Sequence, residues 1–178
     1  MLRLILTIGC ICALLTSCGS APGERVLFDF ESDAELDRFS WQCHTLFSLS
    51  DEQTTHGKKS LKLELYPSDY PGLAPMFEEN DWRGYSSFCF DVYNPNKQKI
   101  RISVRMDDQK DYPNYADRFN KSFILKPGMN RMRIPLDTLF TSGTHRKLNL
   151  KKIYRVLIFM TGPERRVVLY VDYLRLVS

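Results

Sequence analysis

Histidine is scarce: His44, His56 and His145 are the only three in 178 residues. They lie too far apart for the ligand spacing of a zinc site. No nucleophile-elbow pattern is present, and no glycine-rich phosphate loop. Cys43 and His44 are adjacent, but neighbours on a strand point to opposite faces, which makes a poor catalytic dyad. Asp107-Asp108 and Glu78-Glu79 supply paired acids. Glycoside hydrolysis needs two carboxyls facing each other across a sugar, and nothing marks such a pair. The expectation is a protein that is not an enzyme. Charge of one sign is also lacking. Lys and Arg total 25 against 21 Asp and Glu, a formal charge of +4. That mild excess gives no case for nucleic acid. Helical periodicity is nearly absent, and no apolar run reaches the roughly 20 residues that span a bilayer.

The N-terminus carries Arg3 and then an apolar run to Leu15, the pattern of a secretory signal peptide. Leu15-Thr16-Ser17-Cys18 closes it. This resembles the lipobox of bacterial lipoproteins: an aliphatic residue, two small residues and the cysteine whose thiol takes the lipid. The resemblance implies a signal peptide over 1–17, cleavage before Cys18, and a lipidated flexible tether over 18–24. It implies attachment to a membrane of the cell envelope. Gly19 after the cysteine, in place of an aspartate, implies the outer membrane in a Gram-negative host. Export would leave a single domain of roughly 160 residues, enough to bury a core unaided, and would lower the charge by one with Arg3. Of five cysteines, Cys10 and Cys12 leave with the signal and Cys18 carries lipid. Cys43 and Cys89 then either pair in an oxidising compartment or remain two separate buried thiols.

The rest, 25–178, is strand-rich. Val26, Phe28 and Phe30 alternate, as do Leu61, Leu63 and Leu65. In 86–93, Phe88, Phe90 and Val92 share a face. In 99–107, Ile100, Ile102, Val104 and Met106 face one way while Arg101, Ser103, Arg105 and Asp107 face the other. Further strands are predicted at 122–126, 130–134, 153–160 and 167–177. The last two are almost continuously apolar, as if covered on both faces. Short helical turns are predicted at 33–39, capped by Ser32 or Asp33, and at 135–140 behind Pro135. Eight or more short strands with turns between them predict an all-β sandwich. The stretches 66–86 and 107–121 are long, irregular and aromatic-rich, as functional loops often are.

Several phrases in order resemble carbohydrate-binding modules of the galactose-binding-like jelly-roll class. They are Val26-Leu27-Phe28-Asp29-Phe30-Glu31, Gly57-Lys58-Lys59-Ser60-Leu61, Asp81-Trp82-Arg83-Gly84-Tyr85, Phe90-Asp91-Val92-Tyr93-Asn94-Pro95 and Tyr170-Val171-Asp172-Tyr173. Asp107-Asp108 with Tyr115-Ala116-Asp117-Arg118-Phe119-Asn120 is similar to extracytoplasmic domains associated with VanZ-like proteins. The resemblance implies a galactose-binding-domain-like jelly roll and a carbohydrate ligand. It also implies a structural calcium where the first and last strands meet, on Asp29, Glu31 and Asp172 with carbonyls of the 55–60 loop.

Sugars are held by rings stacking on C–H faces and by planar polar groups that take hydroxyls in pairs. Arg101, Arg105 and Asp107 on the non-core face of 99–107, with Asp108, Tyr112, Tyr115, Arg118 and Asn120 beyond it, form the candidate site. The competing reading has Arg118 pairing with Asp107, Asp108 or Asp117 merely to pin the loop, and the tyrosines packing on the sandwich. Trp82, Tyr85 and Trp41 read as structural. A rival function is an assembly lipoprotein whose loops bind a protein partner in the envelope, with a contiguous apolar patch in place of a groove.

Overall fold

The structure, a computed structural model, describes residues 23–41 and 43–178. The signal peptide and Cys18 lie outside the described residues, as do Gln42 and the side chain of Trp41. Among the described residues eleven strands form two sheets. They are β1 (Glu24–Phe28), β2 (Phe39–Trp41), β3 (Thr45–Ser50), β4 (Ser60–Leu65), β5 (Gly72–Pro75) and β6 (Ser87–Asn94), followed by β7 (Ile100–Asp107), β8 (Phe119–Leu125), β9 (Gly128–Pro135), β10 (Arg155–Phe159) and β11 (Val167–Val177). One sheet runs β3-β4-β11-β6-β9, with β1 also paired to β11; the other runs β2-β5-β10-β7-β8. Every recorded pairing is antiparallel.

The alternation in the sequence fixes which face turns inward, because a slip of one residue would expose the whole apolar set. Phe88, Phe90 and Val92 of β6 meet Ile102, Val104 and Met106 of β7 across the sandwich, with Leu61, Leu63, Leu169, Val171, Leu174, Leu176, Val156 and Ile158 filling the core. Trp82 is fully buried and stacks on Phe88 at 5.2 Å, in agreement with its structural reading. Tyr85 packs against the same core. Eight strands coincide with predicted segments, while β2, β3 and β5 were not foreseen. Both predicted turns form as 3₁₀ turns, Asp33–Arg38 with Ser32 Oγ accepting from Ala34 N, and Leu136–Thr138 after Pro135. Cys43 and Cys89 are both free thiols, and burial pushes the Cys89 thiol pKa up.

β11 is the central strand of its sheet. Its first half pairs with β4 (Val167↔Leu65 to Val171↔Leu61) and its second half with β1 (Arg175↔Val26 to Val177↔Glu24), while β6 runs along its other edge. At the join, Tyr173 adopts a left-handed φ of 54° and the β6 register shifts there, the mark of a bulge. Strand β1 begins one residue before the expected domain start. Gly23, counted in the tether by sequence, accepts a hydrogen bond from Ser178 N at 2.6 Å through its carbonyl.

Candidate functional site

The outer face of the five-stranded sheet follows from register. Arg105 on β7 lies opposite Asn120 on β8 and Leu157 on β10; Ser103 lies opposite Ser122 and Phe159; Asp107 lies opposite Arg155. All have the parity opposite to the buried Ile102, Val104, Met106, Val156 and Ile158. Beyond β10, β5 contributes only Gly72 and Ala74 to this side. A Cβ on Gly72 would sit within 2.6 Å of Phe159 Cα, so only glycine allows β5 and β10 to approach this closely. The small residues leave a cleft of ≈ 320 Å³, lined by Ser40, Tyr70, Ala74, Arg105, Tyr112, Tyr115, Arg118, Asn120, Arg155, Leu157 and Phe159. That volume is at the lower end of small-ligand sites.

The cleft has an apolar floor and aromatic walls. Leu157 and Phe159 form the floor, and Tyr70 stands edge-on to Phe159 at 6.0 Å. Tyr112 and Tyr115 are 77% and 71% exposed, and Tyr70 is 53% exposed. Tyr112 and Tyr115 stay exposed while other groups hold the loop that carries them. The carbonyl of Ala116 accepts from Gly143 N and Thr144 N, that of Arg118 from Ser142 N, and that of Pro113 from Arg118 Nε. Tyr112 also lies over the Arg155 guanidinium at 4.1 Å, a cation–π contact.

Beneath the arginines, Asp107 is wholly buried. It accepts from Arg105 Nε at 2.9 Å and Nη2 at 2.5 Å, and from Arg155 Nη1 at 2.9 Å. The bidentate fork fixes Arg105 on the floor. Arg118 has no ion pair with any described residue. Burial, then the neighbouring Arg105 guanidinium, draws its pKa below the ordinary arginine value, with Arg155 adding to the shift. Asn120 Nδ2 is buried without a hydrogen-bond partner.

Of the eight residues expected to bind sugar, Arg105, Tyr112, Tyr115, Arg118 and Asn120 line the cleft. Asp107 anchors it from below. Arg101 lies on the same face, two positions along β7 from Ser103, and does not line the cleft. Asp108 points elsewhere: Arg146 Nη1 and Nη2 donate to its carboxylate at 2.6 and 2.9 Å, and Asn149 N at 2.7 Å. Arg146 Nε also reaches Asp117 at 3.0 Å. Burial opposes ionisation of Asp108, yet Arg146 and the Asn149 N–H hold its pKa below the usual value; Asp117 is held low chiefly by Arg146. The loop is thus pinned by Asp108 and Asp117 through Arg146, while Arg118 stays open. Tyr70, Arg155, Leu157 and Phe159 were missed by sequence. The signal for three of them is Arg155-Val156-Leu157-Ile158-Phe159, whose continuous apolar character predicts a covered outer face, whereas Leu157 and Phe159 line an open cleft.

The three carboxylates expected at calcium do gather around the 51–59 loop, where N–H donors engage both oxygens of Asp172 and one oxygen each of Glu31 and Asp29. Asp172 Oδ2 accepts from Thr55 N at 2.6 Å, His56 N at 3.0 Å and Thr55 Oγ1 at 3.1 Å, and Oδ1 accepts from Tyr173 N at 2.7 Å. Burial raises the Asp172 pKa against these bonds. Glu31 Oε1 accepts from Lys58 N and Lys59 N, both at 2.7 Å, and the Lys59 bond foremost lowers its pKa. Asp29 Oδ2 lies 3.9 Å from His56 Nδ1, and the His56 ring stacks on Tyr173 at 4.2 Å. Calcium needs six to eight free oxygen lone-pair directions around one point. Among the described residues no group of three or more acidic, histidine or cysteine side chains is placed to hold a metal. In this arrangement N–H donors engage both oxygens of Asp172 and Oε1 of Glu31. These hydrogen bonds close the join between β4 and β1.

No protein-family model matches the chain, and no curated protein matches it. Solved structures do. A family 11 carbohydrate-binding module from Clostridium thermocellum, in complex with a β-1,3-1,4-mixed-linked tetrasaccharide, is similar with a TM-score of 0.65 and 16% identity over 89% of this chain and 98% of that one. An exo-β-agarase is similar with a TM-score of 0.69 and 19% identity; 85% of this chain covers 24% of that one. A family 22 carbohydrate-binding module of Clostridium thermocellum has a TM-score of 0.55 and 10% identity. At these identities the likeness establishes the fold, a β-sandwich jelly roll of the carbohydrate-binding-module type.

Proposed function

We propose that the protein binds a carbohydrate in the cleft on the outer face of the five-stranded sheet and does not transform it. One observation carries this reading: three exposed tyrosines stand around an apolar floor beside an unpaired arginine and an unsatisfied amide. Rings and floor suit the C–H faces of a sugar, and fixed planar donors suit its oxygens. The cleft holds no pair of free facing carboxyls, since Asp107 is engaged by two arginines and Asp108 by Arg146. The module likeness in fold supports the same reading by analogy.

The protein would act at a bacterial cell envelope, held by lipid on Cys18. The support is the Leu15-Thr16-Ser17-Cys18 sequence. More than one acyl chain makes such an anchor stable. Metabolic lipid labelling of wild type, absent in Cys18→Ser, tests the anchor.

Titration of the purified protein against a broad panel of glycans tests the ligand. Binding that weakens about tenfold in Tyr115→Ala with an unchanged melting temperature supports the reading. Silence across the panel, with capture of an envelope protein through the 107–121 loop, would put the assembly role in its place.

A further inference from the structure

The cleft is unbalanced in two respects that a neutral sugar does not require. The first is charge. Arg105, Arg118 and Arg155 line it against one carboxylate, Asp107, which is buried beneath them and engaged by two of the three. Lys110 and Asp111, exposed in the adjoining loop, offset each other and line nothing. The second is hydrogen-bonding sense. Guanidinium groups only donate. The Asn120 amide nitrogen is a donor without a partner, and Ser40 Oγ already donates to the Ala74 carbonyl. Both oxygens of the one nearby carboxylate are taken by Arg105 and Arg155. A sugar hydroxyl donates as well as accepts, so a neutral glycan would find donors in surplus and acceptors mainly in the tyrosine hydroxyls and the Asn120 side-chain carbonyl. Carboxylate and sulfate oxygens only accept. They match the surplus and neutralise the charge together.

Resting on the carbohydrate reading above, we infer that the ligand is an acidic glycan, bearing carboxylate or sulfate groups, whose anionic oxygens meet the Arg118 guanidinium and the Asn120 amide. Arg118 is the group to watch, because Arg105 and Arg155 are already bound to Asp107 while Arg118 engages only the Pro113 carbonyl at 2.8 Å. The tyrosines and the Leu157–Phe159 floor would take the ring faces, leaving the acid group to choose among sugars.

The test is calorimetric titration of the purified protein with tetragalacturonate, a sulfated galactan tetrasaccharide, cellotetraose and xylotetraose. At least one acidic ligand should bind about tenfold or more tightly than either neutral one at about 20 mM salt, and most of that advantage should be lost at about 500 mM. Comparison of the two acids tells carboxylate from sulfate. Arg118→Gln should remove the acidic preference with melting unchanged. Arg131→Gln, on the opposite sheet, should keep it, which separates the cleft from general basicity. Equal or tighter binding of the neutral ligands overturns the inference and leaves the carbohydrate reading standing, as does a preference that survives Arg118→Gln. No binding to any of the four, or to the wider panel, overturns both.

Discussion

Arg146→Met removes the guanidinium that Asp108 and Asp117 share, while keeping most of the stem that packs against the loop. The Asp108 side chain is only 3% exposed, and afterwards its carboxylate keeps the Asn149 N–H but loses both Arg146 bonds. Breaking a buried pair from one side costs about 3–5 kcal/mol. Arg146 itself is 38% exposed, so water already screens part of the attraction, and about 2–3 kcal/mol is the expected loss. With a urea slope of about 2 kcal/mol per molar for a domain of this size, the midpoint should fall by about 1–1.5 M at pH 7. The pH dependence gives a second reading. In the wild type the folded-state pKa values of Asp108 and Asp117 are below their unfolded values. Their contribution is complete above the unfolded carboxylate range near pH 4 and is lost as pH falls through the lowered values. In the variant Asp108 has burial without its partner, so acid relieves the strain, and the gap between the two proteins should narrow below about pH 4. Urea unfolding followed by tryptophan fluorescence at several pH values measures both. A gap under about 0.5 kcal/mol at neutral pH, or one that is the same at low pH, refutes the view that this knot fixes the loop.

Other perturbations address the cleft, the sheet and the calcium question. Tyr115→Ala, at a side chain 71% exposed, should weaken glycan binding by about tenfold in calorimetry with little change in melting, the loss of one stacking face. Gly72→Ala sets a methyl against the β10 backbone and should cost about 1–3 kcal/mol in urea unfolding; an unchanged midpoint would show that β5 can move away. Calcium and EDTA should give the same melting temperature, because Asp172 and Glu31 already serve Thr55, His56, Lys58 and Lys59. A rise of several degrees with millimolar calcium would mean that those bonds exchange for metal.

Elements with long alternating runs were legible because one face of each is core. β7 shows this best, with Ile102, Val104 and Met106 buried as the pattern required. β5 was illegible: four residues, all buried, ending in Pro75, carry no alternation. β3 does alternate, yet Leu46 stands 62% exposed on the outside, so its apolar residues do not mark one face cleanly. The part of the site that is local in sequence was visible, since Arg105, Tyr112, Tyr115, Arg118 and Asn120 lie on one strand end and the loop and strand beyond it. Arg155, Leu157 and Phe159 reach the cleft only because β10 inserts between β5 and β7, and pairing order is not written in local spacing. Asp108 and Arg146 stand 38 residues apart, so no spacing rule could distinguish Asp108, which is locked away, from Asp107, which underlies the cleft.

The place of β11 bears on how the chain acquires its shape. The middle of the six-stranded sheet is the last strand of the described sequence; β1 has no other partner, and the β3-β4 and β6-β9 pairs are joined only through it. Glu24 meets Val177 across the whole length of the domain. Until those final residues are available, β1 and β4 have no shared neighbour and the apolar faces of half the sandwich are bare. Such distant pairings close slowly. The late centre strand thus makes a truncation of its last few residues far more damaging than the same loss from an outer strand.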